Sequence, residues 1–546
     1  MKRNHGGDAD ALVIGSGPNG LVAANLLADA GWSVLVLEAE REPGGAVKSS
    51  ELIEPGYVCD HFSAFYPLAA ASKVIQGLEL ERHGLEWARA PAPVAHAHSD
   101  GRYAMLHSDR ARTAASLDSF AVGDGDRWQE LMEEWERIGT HFVDALMTPF
   151  PPVRACGKLA AALGRDLLRF VRLTLLPVRR LAEERFEGEG AGWLLAGNAL
   201  HADLSPDSAA GGFYGLVLCG LGHQLGFPFP RGGAGQLTAA LVRRFEAAGG
   251  RIEYGARAER VIVRRGRAAG VRLADGREVS GGRAVLADVT APALYGRMLD
   301  QEHVPARLLE DLSRFQFDSA TVKVDWTLDG PIPWKDEAVR EAGTVHLADG
   351  MDSLTASSSE ILRHLVPANP FLVLGQYAIA DPTRAPEGKE TAWGYTHVPR
   401  EVRGDAGEEH LSGAWDERET EAFVRRVEDR VEATAPGFRD LIRARHVFAP
   451  PSLEAENANL ERGAINAGTA QLHQQVVFRP TPGLARSETP VRGLYLASAS
   501  AHPGGGVHGG PGSNAARAAL AAERRRRTAY AIGFTAAGAA LVGRGR

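Results

Sequence analysis

Cysteine is scarce in this chain, and long apolar runs are missing from it. The 546 residues include three cysteines, Cys59, Cys156 and Cys219, which lie far apart and form no CxxC pair. This spacing argues against a disulfide framework, a zinc site and dithiol redox chemistry. No stretch has the length and apolarity of a confident membrane span. We therefore expect three small buried thiols and a chain that does not cross a membrane.

An excess of positive charge is also missing. The net charge is −7 at pH 7, which gives no general reason to expect nucleic acid as a partner. The first ten residues are polar and lead directly into an apolar run, a pattern that fits neither a signal peptide nor a transit peptide. We expect a cytoplasmic protein, with any membrane contact peripheral and on the inner face.

An apolar strand-like run, a glycine turn and an Ala/Leu-rich helix-like stretch follow one another near the N-terminus. In the turn, Gly15 permits a tight bend, Gly17 lets backbone approach a pyrophosphate, and Gly20 lets the helix pack close to the sheet. The helix amides and dipole would hold the phosphates. A second apolar run ends at Glu38, whose carboxylate can accept hydrogen bonds from a ribose. Together these features predict a dinucleotide site.

Three further glycine clusters follow along the chain. Gly44 and Gly45 come soon after Glu38, close enough to bring backbone near the central phosphates of the cofactor. Residues 230–237 precede a helical stretch, and residues 501–512 lie between a strand-like run and another helical stretch. Only the first cluster has a ribose-binding acid, so we expect no stable NAD(P)H site.

These patterns predict an α/β nucleotide-binding domain that is discontinuous in sequence, and a second, α+β domain for the substrate. The nucleotide-binding domain is expected to comprise residues 8–75, 225–300 and 450–525. The substrate domain is expected to comprise residues 76–222, which are mainly helical in pattern, and residues 300–450, which contain alternating strand-like runs. Residues 526–546, basic and then rich in Ala and Gly, are expected to form a flexible tail.

Residues 158–180 carry six basic side chains in a stretch of helical pattern, which Pro177 is expected to bend or end. On a helical wheel of about 100° per residue they share one arc beside a broad apolar face. They are Lys158, Arg165, Arg169, Arg172, Arg179 and Arg180. This arrangement suits the surface of an anionic membrane. The alternative is an ordinary domain helix with a solvated arginine face.

Four motifs together carry a resemblance to a known family. They are the first glycine turn with Glu38, the Gly44-Gly45 pair, the Pro-Arg-Gly-Gly-Ala-Gly-Gln run from Pro230 and the His-Pro-Gly-Gly-Gly-Val run from His502. They resemble FAD-dependent phytoene desaturase and carotenoid isomerase-type oxidoreductases, in particular the branch of pyridine nucleotide-disulphide oxidoreductase domain-containing protein 2. The resemblance implies a glutathione-reductase-like Rossmann fold, non-covalently bound FAD and a lipophilic, often polyisoprenoid, substrate.

The positions that match the motifs of this family imply a set of cofactor-binding residues. The ADP half of FAD would lie near the first two glycine clusters, the adenine side near the meander, and the flavin ring against the last cluster. The implied residues are Gly15, Gly17, Pro18, Asn19, Gly20, Glu38, Ala39, Arg41, Gly44, Gly45, Ala46, Val261, Gly505, Gly506 and Val507. No metal site is expected, because the histidines lack a partner set.

The resemblance favours an FAD-dependent oxidoreductase that dehydrogenates its substrate by hydride transfer to flavin N5 and passes electrons to a quinone or oxygen. His502 is the candidate catalytic acid–base, since a neutral imidazole can take up a proton near pH 7. The alternative for His502, and the favoured interpretation of His508, is a hydrogen bond to backbone in the glycine-rich turn. Two other functions stay open: a reduced-flavin-dependent isomerase of conjugated lipids, and a regulatory flavoprotein without catalysis.

Overall fold

The structure, a computed structural model, describes the backbone of residues 8–542 and the side chains of residues 8–528. Its strands, numbered in chain order, are β1 (Ala9–Ile14), β2 (Val34–Leu37), β3 (Ser49–Ser50), β4 (Cys59–Asp60), β5 (Trp87–Ala88), β6 (Ala92–Ala97), β7 (Tyr103–Leu106), β8 (Phe229–Pro230), β9 (Arg251–Glu253), β10 (Ala258–Arg264), β11 (Arg267–Leu273), β12 (Glu278–Ala287), β13 (Ala320–Leu328), β14 (Ala342–Leu347), β15 (Leu365–Val366), β16 (Leu372–Gln376), β17 (Glu390–Val398), β18 (Gly404–Asp405), β19 (Ile442–Phe448) and β20 (Leu494–Leu496).

The α-helices are numbered in the same way. They are α1 (Pro18–Asp29), α2 (Pro67–Ala71), α3 (Lys73–Gln76), α4 (Arg110–Asp118), α5 (Asp124–Met147), α6 (Val153–Leu163), α7 (Leu167–Leu175), α8 (Val178–Arg185), α9 (Gly190–Leu200), α10 (Gly211–Leu225), α11 (Gly235–Ala247), α12 (Ala291–Ala293), α13 (Ala306–Leu312), α14 (Gly350–Leu362), α15 (Glu417–Thr434), α16 (Phe438–Leu441), α17 (Pro450–Glu456) and α18 (Gly510–Val542).

The first sheet contains the apolar runs of the nucleotide-binding pattern. Its strand order is β10-β11-β12-β1-β2-β9, and β20 also pairs with β12. β1 lies parallel to both neighbours, so that Leu12 is opposite Val285 on β12 and Leu35 on β2. α1 and α18 pack on one face of the parallel strands. β10 and β11, which pair with the first part of β12, fold over the other face. Burial on both faces explains why β1 and β2 are almost wholly apolar.

The second sheet has the order β19-β13-β17-β16-β14-β6-β7. Neighbouring strands are antiparallel except for β14 and β6, which are parallel. One face packs against α15, with Trp326 and Phe423 in the interface. The other face packs against α5, α9 and α10, with Trp193 and Trp393 in the interface. Helices therefore cover both sides of this mixed sheet.

The expected combination of an α/β unit with a second, α+β unit is confirmed. The strands of the first sheet come from residues 9–37, 251–287 and 494–496, and those of the second sheet come from residues 92–106 and 320–448. The boundaries of the two domains stay a prediction.

Residues 158–180 do not form one helix, so the expectation of a single basic arc is wrong. α6 ends at Leu163, and Gly164 follows with a φ of 51°. Glycine adopts this left-handed conformation without a steric penalty, and it turns the chain before α7. Pro177 then separates α7 from α8. The basic side chains are therefore distributed over three short helices, except for Arg165, which lies in the turn between α6 and α7.

The C-terminal helix is longer than the sequence suggests. α18 continues from Gly510 to Val542, so the backbone of residues 526–542 is helical. The flexibility expected of this tail stays a prediction. Alanine and arginine both favour helix, and Glu523 forms ion pairs with Arg526 and Arg527 at helical spacing. Residues 543–546 lie outside the described part of the chain. None of the described helices combines the length and apolarity that a bilayer span requires.

Candidate functional site

The turn between β1 and α1 has no room for side chains at its glycines. Gly15 has a φ of +89°, which residues with a Cβ rarely adopt. A Cβ on Gly20 would lie 2.2 Å from the carbonyl oxygen of Gly15, and one on Gly17 would lie 2.8 Å from Oδ2 of Asp288. Pro18 occupies the start of α1, where no amide donor is needed. The turn fits the close backbone approach expected at a phosphate site.

Asn19 lies in the first turn of α1 and is buried. Its side-chain oxygen has no hydrogen-bond partner among the described residues. Amides in the first turn of a helix also lack intrahelical partners, and the helix dipole makes this end favourable for anions. The N-terminal end of α1 therefore offers polar groups that can form hydrogen bonds with a phosphate-containing cofactor.

Glu38 is fixed directly beside the glycine turn. Its carboxylate accepts hydrogen bonds from the amide of Ser16 at 2.8 Å, the hydroxyl of Ser16 at 2.5 Å and the amide of Glu40 at 2.9 Å. The side chain is 7 % exposed. In the loop that follows, Ala39 is half-buried and Arg41 is exposed. The structure thus places the predicted ribose-binding acid at the carboxyl end of β2.

The second glycine pair packs against the first turn. Gly44 and Gly45 have φ values of +120° and +56°, and a Cβ on Gly45 would lie 3.1 Å from the Cα of Gly17. The amide of Gly44 donates to the carbonyl of Ser16 at 3.1 Å. The carbonyl of Ala46 accepts a hydrogen bond from the hydroxyl of Ser63 at 2.7 Å. The two glycine clusters therefore form one continuous backbone surface.

Val261 is more distant in sequence but belongs to the same unit. It lies on β10 opposite Val271 on β11, and its side chain is buried in the cluster that includes Leu12 and Leu35. The structure thus places Val261 in the meander that covers the first sheet. Its contact with adenine stays a prediction.

The fourth glycine cluster, residues 501–512, approaches α1 from the C-terminal part of the chain. A Cβ on Gly512 would lie 2.0 Å from the carbonyl oxygen of Asn19, and one on Gly506 would lie 2.9 Å from Cδ1 of Leu68. A Cβ on Gly505 would lie 2.7 Å from Oδ1 of Asn466. Val507 packs in the cluster that also holds residues of α1. The segment that contains the three implied flavin-side positions, 505–507, therefore lies next to the N-terminal end of α1.

His508 stabilises this turn through its ring. Nδ1 accepts a hydrogen bond from the amide of Gly510 at 3.0 Å, which leaves Nε2 to donate to the carbonyl of Gly505 at 3.1 Å. Burial lowers the pKa of His508 to about 4. The ring is therefore neutral at pH 7. These contacts agree with the interpretation that His508 hydrogen-bonds backbone in the glycine-rich turn.

His502 is buried, with 4 % of the residue exposed. Burial lowers the pKa of this imidazole, while the nearby carbonyls of Thr148 and Leu146 act in the opposite direction. Within the described chain, no hydrogen bond of good geometry reaches either ring nitrogen. The ring lies beside the end of α5, and its role as an acid–base stays a prediction.

Asp288 is a residue of the turn that the sequence analysis missed. It directly follows β12, and its Oδ2 accepts a hydrogen bond from the amide of Gly20 at 2.9 Å. Burial raises the pKa of this carboxyl to about 7, with a further contribution from the charge of Glu38. The sequence did contain a signal for Asp288. An apolar run with an acidic residue immediately after it identifies Glu38, and the same pattern occurs at Asp288.

A buried polar network connects the end of β4 with the segment that follows β16 in the second sheet. The hydroxyl of Tyr377 donates to Oδ2 of Asp60 at 2.5 Å, and Nη2 of Arg384 lies 3.1 Å from Oδ1 of the same carboxylate. The guanidinium also lies 3.8 Å from the centre of the Tyr377 ring. Asp60 additionally accepts the amide of Ala234 at 2.8 Å. This network fixes the third glycine-rich segment, residues 230–237, to β4.

A second buried pair lies next to this network. Lys323 and Asp325, two residues apart on β13, form an ion pair with exposures of 2 % and 0 %. Burial raises the pKa of Asp325 to about 6, although the charge of Lys323 opposes the shift. The ammonium lies 6.0 Å from the ring centre of Phe448. The sequence did not predict this ion pair. The alternation of side chains along a strand shows that Lys323 and Asp325 lie on the same face, but it does not show which residues pack against that face.

Arg479 fixes the loops around the fourth glycine cluster. This wholly buried side chain donates to the carbonyls of Ala499 at 2.7 Å, Thr469 at 2.9 Å and Asn466 at 3.0 Å. Burial lowers its pKa to about 10. Asp318 accepts the amides of residues 465, 466 and 468 from the other side of the loop. These contacts hold the 465–469 loop next to the glycine turn.

The thiols and histidines offer no second reactive centre in the described chain. Cys59 and Cys219 are buried, whereas Cys156 is exposed, so the expectation of three buried thiols is wrong for Cys156; none is in a disulfide. Burial raises the pKa of the Cys59 thiol to about 12. His201 and His223 hydrogen-bond other side chains of the substrate region. No group of three metal-ligating side chains occurs among the described residues.

Comparison with known proteins identifies the family of the chain. Residues 19–520 match the family described as flavin containing amine oxidoreductase. Pyridine nucleotide-disulfide oxidoreductase domain-containing protein 2 from Mus musculus is 29 % identical over 93 % of this chain and 92 % of its own length. A limonene dehydrogenase component from Castellaniella defragrans is 23 % identical over 93 % of this chain and 94 % of its own. Phytoene desaturase from Fusarium fujikuroi is 24 % identical over 91 % of this chain and 86 % of its own length.

The fold is also found among solved structures. An oxidoreductase from Methanosarcina mazei aligns with a TM-score of 0.61 and 15 % identity, over 93 % of this chain and 99 % of that one. The glycine turn with no room for a Cβ and the acid at the end of β2 fit the ADP half of FAD, as the resemblance predicts. The chain belongs to the flavin containing amine oxidoreductase family, with phytoene desaturases among its relatives, and it is an FAD-dependent oxidoreductase.

Proposed function

We propose that this oxidoreductase removes two hydrogens from a lipophilic, isoprenoid-like substrate. The observation that carries the proposal is a row of aromatic side chains on one face of the second sheet. Trp393, Tyr395 and His397 alternate along β17 and so point to the same face. The rings of Trp393 and Tyr395 stack at 6.0 Å, and those of Tyr395 and His397 meet at 5.5 Å.

The row lies between a small surface cavity and the predicted cofactor segment. At one end, Phe371, Thr396 and His397 line a cavity that reaches the exposed Leu362. At the other end, the ring of Trp393 lies 5.8 Å from that of Phe65. Phe65 belongs to the loop whose Ser63 binds the carbonyl of Ala46. An elongated apolar molecule bound along this row would therefore end near the predicted cofactor segment.

One glycine makes room for the row. A Cβ on Gly375 would lie 2.2 Å from the indole of Trp393, so the ring lies flat across the neighbouring strand β16. Each substrate methylene buried against such a surface contributes about 0.8 kcal/mol. Two of the relatives are named for phytoene and limonene, which are isoprenoid hydrocarbons. The apolar surface of Trp393 and the names of these two relatives both support an apolar substrate.

Bound FAD would supply the electron acceptor for the C–H bond that breaks. The chain contributes binding, water exclusion and one proton acceptor. We propose His502 for the last role, because its lowered pKa leaves the ring neutral at pH 7 and its nitrogens are free in the described residues. A quinone or oxygen would then reoxidise the cofactor.

The test is anaerobic mixing of the FAD-loaded protein with phytoene, limonene, benzylamine and putrescine, followed by visible flavin absorbance. We expect the isoprenoids to bleach the flavin and the amines to leave it oxidised. Tyr395→Phe should preserve the rate, whereas Tyr395→Asp should slow it without loss of FAD, because a charge on the row is poorly solvated. Bleaching by amines alone would contradict the proposal.

We also propose that the chain contacts an anionic membrane through residues 153–175, because its substrate barely dissolves in water. α7 exposes apolar side chains outward: Leu168 is 81 % exposed, Leu175 53 % and Val171 44 %. Apolar groups of this kind beside cations are typical of membrane-surface helices.

The cations of this surface are fewer than the sequence predicts. Arg172 and Arg180 pair with Glu184, and Arg179 pairs with Asp207. Their charge is therefore largely neutralised by partners within the protein. Lys158, Arg165 and Arg169 are all exposed, and among them only Arg169 has a carboxylate nearby in the described chain, at 3.9 Å. These three cations complement the negative charge of the lipid headgroups.

A further inference from the structure

The carboxyl of Asp288 occupies a place in the glycine turn that no assigned role explains. Its amide donates to the carbonyl of Ile14 at 2.9 Å, and its carbonyl accepts the side-chain amide of Asn459 at 2.9 Å. The side chain extends toward α1, where Oδ2 accepts the amide of Gly20 at 2.9 Å. The backbone on both sides is thus fixed, and the carboxyl is held inside the turn.

The position of Oδ2 relates it directly to the phosphate site. A Cβ on Gly17 would lie 2.8 Å from this oxygen, and a Cβ on Gly20 would lie 3.2 Å from it. Gly17 is the residue whose missing side chain lets backbone approach a pyrophosphate. The carboxyl therefore lies immediately beneath the surface on which the diphosphate of FAD is expected.

The charges around Asp288 do not favour its ionised form. In the described chain, no lysine, arginine or histidine forms an ion pair with it. The groups that face it are the turn residues 15–17, the amide of Gly20 on α1, Glu38 at the end of β2 and Asn459 in the loop after α17. Glu38 is the charged group among them, and it has the same sign as an ionised Asp288.

We infer that the neutral, protonated carboxyl of Asp288 is part of the FAD phosphate site, so that ionisation of Asp288 weakens FAD binding. Oδ2 accepts the amide of Gly20, which leaves the protonated Oδ1 as a hydrogen-bond donor. A diphosphate presents acceptors only, so it is complementary to the acid and is repelled by the carboxylate. FAD binding and proton binding at Asp288 are therefore mutually favourable.

The sign of the effect follows from linkage. Burial and Glu38 raise the pKa of Asp288 to about 7, and a bound diphosphate would raise it further. Below that pH the carboxyl is already protonated and FAD affinity is constant. Above it, binding must take up a proton, and the FAD dissociation constant should rise by up to about tenfold per pH unit.

The test is the FAD dissociation constant of the apoprotein between pH 5.5 and 9, measured by quenching of flavin fluorescence. Wild type should bind well at low pH and progressively less well above neutrality. Asp288→Asn retains an acceptor for Gly20 and a donor for the phosphate but cannot ionise, so its dissociation constant should stay constant with pH. A pH-independent wild type, or an Asn variant with the wild-type slope, would overturn the inference.

Glu38→Gln provides a control on the origin of the pH dependence. It removes the like charge next to Asp288, so the midpoint should move to lower pH while the slope remains. Loss of the slope would assign the titration to Glu38 and contradict the inference. If the Asn variant does not fold, calorimetry of wild type in two buffers of different ionisation enthalpy decides the matter. Proton uptake on binding at pH 8 supports the inference, and none contradicts it. None of these measurements depends on the substrate.

Discussion

The carboxylate of Glu38 is joined to Ser16 by two hydrogen bonds, one from the backbone amide at 2.8 Å and one from the hydroxyl at 2.5 Å. Ser16 lies between Gly15 and Gly17 in the turn that precedes α1. The acid predicted to bind ribose and the turn predicted to bind phosphates are therefore one connected unit. A change in the turn should affect both contacts with the cofactor.

Gly17→Val should abolish FAD binding. The new Cβ would start 2.8 Å from Oδ2 of Asp288, and the branched side chain would cover the phosphate surface. FAD per protein after gel filtration, identified by chromatography against FMN, measures the effect. Gly157→Val is the matched control, because nothing lies within 4 Å of a Cβ there. Stoichiometric FAD in the Gly17 variant would show that the pyrophosphate site has been assigned incorrectly.

NADH and NADPH should not reduce the bound flavin rapidly. Of the glycine clusters in the sequence, the first turn alone has both the dinucleotide-binding spacing and a ribose-binding acid. We expect FAD to occupy that site, which leaves none for a nicotinamide dinucleotide. Stopped-flow absorbance under anaerobic conditions measures the rate. Fast reduction that saturates with nicotinamide concentration would reveal a second dinucleotide site.

The parts of the site that could be predicted from the sequence are those encoded within a short segment. Gly15, Gly17, Gly20 and Glu38 stand within one strand–turn–helix–strand unit, so their spacing specifies their geometry. Asp288 reaches the same turn from far along the chain, because β12 pairs beside β1. Sequence spacing does not report strand order, and this carboxyl was therefore missed.

The helix expected over residues 158–180 shows a different limit. Helical periodicity placed six cations on one arc, but the pattern contains no information on the left-handed φ of Gly164 or on the carboxylate partners. Glu184 on α8 neutralises two of the arginines. Tertiary contacts, not periodicity, decide which cations stay available to a ligand.

Acid should destabilise the protein between pH 6.5 and 4, in part through His508. Burial lowers its pKa to about 4 in the folded state, against about 6.5 when unfolded. The unfolded chain therefore binds more protons in this window. The contribution of the neutral ring is complete above pH 6.5 and falls by up to about 1.4 kcal/mol per pH unit as the pH decreases.

Urea unfolding at pH 7 and pH 5, followed by tryptophan fluorescence, measures this contribution. The difference in unfolding free energy between wild type and His508→Gln should be smaller at pH 5. His410→Gln, at an exposed position, is the control and should give the same difference at both pH values. A constant difference for His508→Gln would contradict the proposed neutral ring.

Replacing Lys158, Arg165 and Arg169 together by Gln should release the protein from anionic liposomes. Each basic residue near such a surface contributes about 1 kcal/mol, so affinity should fall roughly 100-fold. Sedimentation with anionic and neutral vesicles measures binding, and FAD content should not change. The control replaces the exposed Arg307, Arg363 and Arg425, which alters net charge equally. Equal loss in both variants would reduce the effect to net charge alone.

The mass of the product tests the central claim most directly. FAD-loaded protein is incubated with each of a set of isoprenoids in the presence of a quinone, and the products are analysed by mass spectrometry. The account predicts the loss of two hydrogens per turnover, with a matching amount of reduced quinone. An isomer of unchanged mass would assign the reaction to reduced-flavin isomerisation. Unaltered substrate, with every lipid tested, would contradict dehydrogenation and favour a regulatory flavoprotein.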